Sequence, residues 1–72
     1  MTPMRFIREH IFLMPTQSEF ARLLGYRQAT ISRFENGMAI SSGAQGRIRE
    51  KAKEMNIPWD NNWFFDIPDM AA

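Results

Sequence analysis

The residues that could do chemistry in this chain carry amide, guanidinium and hydroxyl groups, and they are concentrated between residues 17 and 42. These groups donate and accept hydrogen bonds. No motif pairs a nucleophile with a base, and one histidine without any cysteine argues against a metal site. The sequence therefore predicts recognition by hydrogen bonding, with no enzymatic activity, cofactor, metal or small-molecule substrate.

Several of these groups lie on one face of a short helix predicted over residues 28–35. Ile31 and Phe34 are three residues apart and define the buried direction. At about 100° per residue, the opposite direction is shared by small and polar side chains. They are Ala29, Ser32, Arg33 and Asn36, with Gln28 on the flank at the helix start. This face is suited to reading base edges; the alternative is an ordinary solvated face.

The residue types of this face match the hydrogen-bonding patterns of bases. A glutamine amide can bond N6 and N7 of adenine, an arginine can bond O6 and N7 of guanine, and an alanine methyl can contact the thymine methyl. We therefore expect Gln28 to read adenine and Arg33 to read guanine. Ala29 and Ser32 would shape the remaining base contacts.

A second short helix is predicted immediately before this one. Thr16 and Glu19 form a capping box, in which the Thr16 hydroxyl accepts the Glu19 amide and the Glu19 carboxylate reaches back to the Thr16 amide. Gly25 ends the helix, because glycine adopts a left-handed backbone without penalty. Ala21 is a small residue at the helix crossing. Two short helices joined by a tight glycine turn are typical of a helix-turn-helix.

The flanking segments also predict helices. The first would run from Pro3 to near Met14, capped by Thr2, with Ile7, Ile11 and Met14 on one buried stripe. A fourth would be capped by Ser41 or Ser42 and end near Met55, with Ile48, Ala52 and Met55 facing inward. Residues 58–65 could form a short fifth helix or an extended tail. The 72 residues thus predict an all-α, compact bundle of four to five short helices.

Charge divides the chain into two parts. Residues 1–58 carry a net charge of +4, and residues 59–72 carry −3. We expect a helix-turn-helix domain over residues 1–57 and an acidic, aromatic tail over residues 58–72. The large apolar side chains of this tail would either mediate dimerisation or pack on the first and fourth helices. They are Trp59, Trp63, Phe64, Phe65 and Ile67.

The stretch TQSEFARLLGYRQATISRFENG, Thr16 to Gly37, resembles the Cro/CI-type helix-turn-helix repressors of phages and their bacterial relatives. The likeness extends over about residues 4–57. It implies a lambda-repressor-like DNA-binding domain whose third helix enters the major groove of double-stranded DNA. The family usually presents this helix from a two-fold homodimer, which calls for a palindromic operator.

The resemblance also implies contacts with the DNA backbone. Gln17 would bond a phosphate and brace the Gln28 amide. Arg27 stands where the family commonly has a Ser or Thr cap, which loses about 1 kcal/mol of local stability, and its guanidinium would contact a phosphate instead. The segment MAISSGAQG after Gly37 is poor in basic residues, so only its two serines are expected to contribute. The full backbone set is Gln17, Arg27, Thr30, Asn36, Ser41 and Ser42.

Other charged residues favour structural roles. Glu35 is expected to pair with Arg8 or His10. The basic run from Arg47 to Lys53 alternates with Glu50 and Glu54, which favours a solvated face over a second DNA site.

We expect a cytoplasmic, dimeric transcriptional repressor, of phage or mobile-element origin by the family likeness, with no signal peptide and no membrane span. The alternative is an antitoxin-like module of the same fold that binds a partner protein through its aromatic tail.

Overall fold

The computed structural model describes residues 1–68, and all regular secondary structure within that range is helical. The elements are α1 (Pro3–Phe6), which continues as a π-helix over Ile7–Ile11, then α2 (Gln17–Leu24), α3 (Gln28–Glu35), α4 (Ser42–Glu54) and a 3-10 helix over Asn61–Phe64. The small all-α bundle expected from the sequence is confirmed.

The first helix differs from the prediction at both ends. Thr2 does not cap it, because the Thr2 hydroxyl donates to the carbonyl oxygen of Glu35 at 2.9 Å and so ties the start of α1 to the end of α3. The helical backbone ends at Ile11 rather than near Met14, since Leu13 adopts a left-handed φ of 57°. Ile11 and Met14 are therefore only partly buried. The buried apolar residues of this segment are Met4, Phe6, Ile7 and Phe12.

The second and third helices have the bounds that the sequence predicts. The Thr16 Oγ1 accepts the backbone amide of Glu19 at 3.2 Å, as expected of the cap. The other half of the capping box differs: the Glu19 Oε1 accepts from the Thr16 hydroxyl at 3.0 Å instead of from the Thr16 amide. The hydroxyl thus uses both its acceptor and its donor within the first turn of α2.

The fourth helix begins where predicted and ends one residue early. Ser41 caps it by accepting the backbone amide of Ala44 at 3.2 Å. Met55, expected to face inward, is 42% exposed. The reason is that Asn56 takes a left-handed φ of 57° and reverses the chain, which places Ile57 against the core instead.

The tail packs on the body of the same chain. Phe64 is 4% exposed and belongs to the core, and Trp59 and Trp63 lie partly buried against it. The ring centroid of Trp63 is 6.0 Å from that of Phe6, and Trp59 is 6.3 Å from Phe12. The fifth element is a 3-10 helix, which starts at residue 61 rather than at residue 58. The Asp60 side chain caps it. Aromatic contacts with the first helix therefore enlarge a core that a chain of this length could otherwise scarcely build.

The tail offers a matched pair of substitutions that tests this packing. Phe64→Ala should lower the free energy of unfolding by about 3 kcal/mol, because it opens a cavity in the core. Phe65→Ala should change it by less than about 0.5 kcal/mol, since Phe65 is 68% exposed. Urea denaturation followed by circular dichroism, at concentrations where the chain is monomeric, measures both. Equal losses in the two variants would contradict the packing described here.

Candidate nucleic-acid interface

A tight turn positions α3 against α2. Gly25 ends α2 with a left-handed φ of 77°, and the Tyr26 amide donates to the Ala21 carbonyl oxygen at 2.8 Å. Arg27 precedes α3 in an extended conformation and provides no side-chain cap, as expected for an arginine at this position. The chain therefore reverses between α2 and α3 within three residues.

Close packing seats the inner face of α3 on the body. Ala21 is 2% exposed, and its small side chain lets the two helices approach. Ile31 and Phe34 are both buried in the same core as Phe20 and Leu24. The inward direction predicted for Ile31 and Phe34 is confirmed, and Tyr26 lies partly buried against the same core.

The outer face of α3 lies open to solvent. Gln28, Ala29 and Arg33 are exposed, and so is Asn36 just after the helix. The remaining polar residues on this side, Thr30 and Ser32, are partly buried. The predicted base-reading residues thus lie together on an accessible surface, and the aromatic tail packs elsewhere, on α1.

A chain of hydrogen bonds supports this surface from beneath. The Gln28 Nε2 donates to the Gln17 Oε1 at 2.6 Å, which is the brace that the family resemblance implied. The Gln17 Nε2 in turn donates to the Glu35 Oε1 at 3.1 Å. Both glutamine amides are therefore oriented by bonds that lead back into the protein.

This series of hydrogen bonds ends at a buried ion pair. The Arg8 Nε donates to the Glu35 Oε2 at 2.7 Å, and the Arg8 Nη2 donates to Oε1 at 3.1 Å. The two side chains are 8% and 6% exposed. The hydrogen bond to Glu35 raises the pKa of Arg8 above its ordinary value, and burial opposes this rise. Of the two partners predicted for Glu35, the structure selects Arg8; the His10 ring instead stacks on Phe6.

Arg8 also holds the loop that precedes α2. Its Nη1 donates to the carbonyl oxygens of Met14 and Pro15 at 3.0 and 2.9 Å. One buried guanidinium thus fixes both the entry to α2 and the end of α3. Sequence patterns did not predict the loop contacts or the link from Gln17 to Glu35, because these partners are not placed by any local spacing.

The two serines expected to contact phosphate lie at the start of α4. Ser41 and Ser42 are both exposed. The Ser41 oxygen accepts the Ala44 amide as a cap, and its hydroxyl hydrogen can still be donated outward.

The tail residues expected at a dimer contact divide into three groups by their exposure. Phe64 must be removed from that set, because it is 4% exposed and packs inside its own chain. Trp59, Trp63 and Ile67 are partly buried against the core, and Phe65 is 68% exposed. Among residues 58–68, Phe65 is therefore the large side chain most exposed to solvent.

The basic run on α4 is exposed at Arg47, Arg49 and Lys53 and partly buried at Lys51, as expected of a solvated face, and Arg47 also contacts the turn before α3. The Arg47 Nη1 donates to the Leu24 carbonyl oxygen at 3.0 Å, and its guanidinium carbon lies 4.7 Å from the centre of the Tyr26 ring. Lys51 pairs with Glu54 at 3.7 Å on the same helix.

Within residues 1–68, no cluster of three or more histidine, aspartate or glutamate side chains is arranged to hold a metal ion. In the same range, no helix has the length and apolar character needed to cross a membrane.

Comparison with known proteins identifies the motif. Residues 16–44 match the helix-turn-helix family. This range covers α2, the turn, α3 and the first turn of α4. No curated protein and no solved structure matches the chain.

The ion pair can be tested by its effect on stability. Arg8→Met should lower the free energy of unfolding by about 3 kcal/mol, because it leaves the Glu35 carboxylate buried without its partner. The double variant Arg8→Met, Glu35→Leu should recover most of this loss. Chemical denaturation measures both.

The exposed pair of Arg5 and Glu9, 2.9 Å apart, is the matched control. Arg5→Met should cost less than about 1 kcal/mol, since exposed pairs contribute little. A similar cost for Arg5→Met and Arg8→Met would contradict the central role of the buried pair.

Proposed function

We propose that this chain, whose residues 16–44 match the helix-turn-helix family, is a DNA-binding regulator of the Cro/CI type, a dimeric repressor of transcription that binds a palindromic operator in the cytoplasm. One observation carries the proposal: the exposed face of α3 holds a glutamine amide that is fixed in orientation by the protein. Residues that are oriented in advance lose little freedom on binding, which favours discrimination between bases.

The bonding of Gln28 favours adenine as its base. One hydrogen of Nε2 is donated to Gln17. The second hydrogen and the Oε1 acceptor remain for a base edge. Adenine offers the complementary pair, an acceptor at N7 and a donor at N6.

Arg33 is proposed to read guanine. Its side chain is exposed and lies five residues beyond Gln28. A guanidinium can donate to O6 and N7 of guanine together. Ala29 and Ser32, which lie between these two on the same face, would contact the intervening base edges.

The backbone contacts are proposed for residues that surround this face. Arg27 is exposed at the start of α3 and Asn36 at its end. Gln17, Thr30, Ser41 and Ser42 complete the set. Such contacts fix the position of the protein on the duplex and carry no sequence information themselves.

A second copy is proposed to contact the tail. Half-sites in this mode of binding are about 34 Å apart, and the body measures 29 × 27 × 24 Å. Two bodies side by side therefore have a suitable separation. Phe65 is the anchor of this contact, with the exposed edges of Trp59, Trp63 and Ile67 beside it.

Binding-site selection from random DNA tests the readers. Gln28→Ala and Arg33→Ala should each weaken operator binding by about 1 to 3 kcal/mol and relax preference at one base pair. Arg27→Ala is the control: it should weaken operator and random DNA about equally and reduce the salt slope by about 1 per subunit. Unchanged base preference in both reader variants would refute the assignment.

Sedimentation equilibrium tests the dimer. Phe65→Ser should shift the equilibrium to monomer without loss of stability, because the side chain is exposed in the monomer. Met55→Ser removes another exposed apolar side chain at the end of α4 and should leave the equilibrium unchanged. If neither variant alters self-association, the tail contact is wrong. Retention of a different, stoichiometric protein through Phe65 would instead favour the antitoxin-like alternative.

A further inference from the structure

Arg47 connects α4 to the turn before the recognition helix. Its Nη1 donates to the carbonyl oxygen of Leu24, the last residue of α2, at 3.0 Å and approaches that of Gly25 at 3.5 Å. Its guanidinium lies over the ring of Tyr26 at 4.7 Å, within the range of a cation–π contact. The contact is tight: a Cβ added to Gly25 would meet the Arg47 Nη1 at 3.1 Å.

The start of α3 depends on contacts of this kind. Arg27 provides no side-chain cap, and α3 has only eight residues. A helix of this length is unstable without tertiary contacts. Its far end is held by Thr2 and by the pair of Arg8 and Glu35. Within the described residues, Arg47 is the side chain that connects another helix to the turn at its near end.

We propose that Arg47 is a positioning residue for DNA recognition, which fixes the turn at Leu24–Tyr26 and thereby the placement of Gln28 against the base edges. This role rests on the function proposed above. The same bond links the turn before α3 to α4, the helix at whose start Ser41 and Ser42 lie.

Two other roles for Arg47 make different predictions. If its guanidinium contacted a phosphate directly, removing it would weaken operator and random DNA equally and would reduce the salt slope by about 1 per subunit. If Arg47 only added to a solvated basic face, its removal would resemble that of any exposed lysine on α4. Lys53, exposed on the same helix, provides this comparison.

The experiment measures the affinity of the full chain for a selected operator and for a random duplex across a salt series. Arg47→Met is compared with Lys53→Met, at a temperature where circular dichroism shows each variant folded. We expect Arg47→Met to weaken operator binding by about tenfold beyond the control, the equivalent of one lost hydrogen bond. Affinity for random DNA and the salt slope should match those of the control.

Arg47→Lys should recover part of the loss. A lysine ammonium can donate to the Leu24 carbonyl oxygen, but it lacks the planar group that stacks on Tyr26. A phosphate contact would be recovered in full by lysine. An equal loss on both duplexes with a lower slope, or a result identical to Lys53→Met, would overturn the proposal.

A measurement without DNA separates this proposal from the function on which it rests. In the free protein, Arg47→Met should shift the backbone amide resonances of Tyr26 and Gln28, and Lys53→Met should not. Absence of that shift would overturn the positioning role whatever the DNA data show. Failure of the unsubstituted chain to bind any duplex would overturn the proposed function instead.

Discussion

The placement of the exposed face of α3 depends on the buried ion pair of Arg8 and Glu35. Burying two charges is expensive unless every donor and acceptor is satisfied. Here both carboxylate oxygens accept from Arg8, one also accepts from Gln17, and the remaining guanidinium nitrogen donates to two loop carbonyls. An apolar pair could match its stability, but it would leave the Gln17 amide without an anchor. The ion pair is therefore better explained by its orientation of the Gln17 amide than by its contribution to the stability of the fold alone.

Contacts from two neighbouring helices hold α3, an eight-residue helix that could not persist alone. The first helix reaches the end of α3 through Thr2 and Arg8, and α4 reaches the preceding turn through Arg47. The buried side chains of Ile31 and Phe34 hold α3 against the core, but this apolar packing would tolerate small rotations of the helix. Hydrogen bonds at both ends, which are directional, restrict those rotations. Apolar packing thus holds α3 against the core, and the polar contacts determine which face of α3 is exposed.

The sequence predicted the parts of this structure that depend on local patterns. The bounds of α2 and α3, the Thr16 cap and the left-handed Gly25 follow from residues within one or two turns of each other. The errors arose where distant residues compete. Thr2 bonds Glu35 across 33 positions instead of capping α1. The bond from Arg47 to Leu24, which spans 23 positions, overturned no prediction but was not foreseen either. Ile57 packs against the core in place of Met55, because the left-handed backbone of Asn56 redirects the chain after α4. Contacts between residues far apart in the sequence, and a left-handed asparagine, produce no periodic pattern from which they could be predicted.

The net charge of +1 is a poor guide to DNA binding here, because the positive and negative residues are unevenly distributed along the chain. Arg8 is buried and paired with Glu35, so its charge is not available at the surface, whereas Arg47 remains exposed while it bonds backbone carbonyls. Between Phe20 and Phe34 the chain has three arginines and no acidic residue. All three are exposed on α2, the turn and α3. Of the acidic residues in the described tail, Asp60 lies within the segment that packs on α1 and Asp66 follows it. A local excess of positive charge on the helix-turn-helix therefore coexists with a nearly neutral chain, and it is the local excess that phosphates would meet.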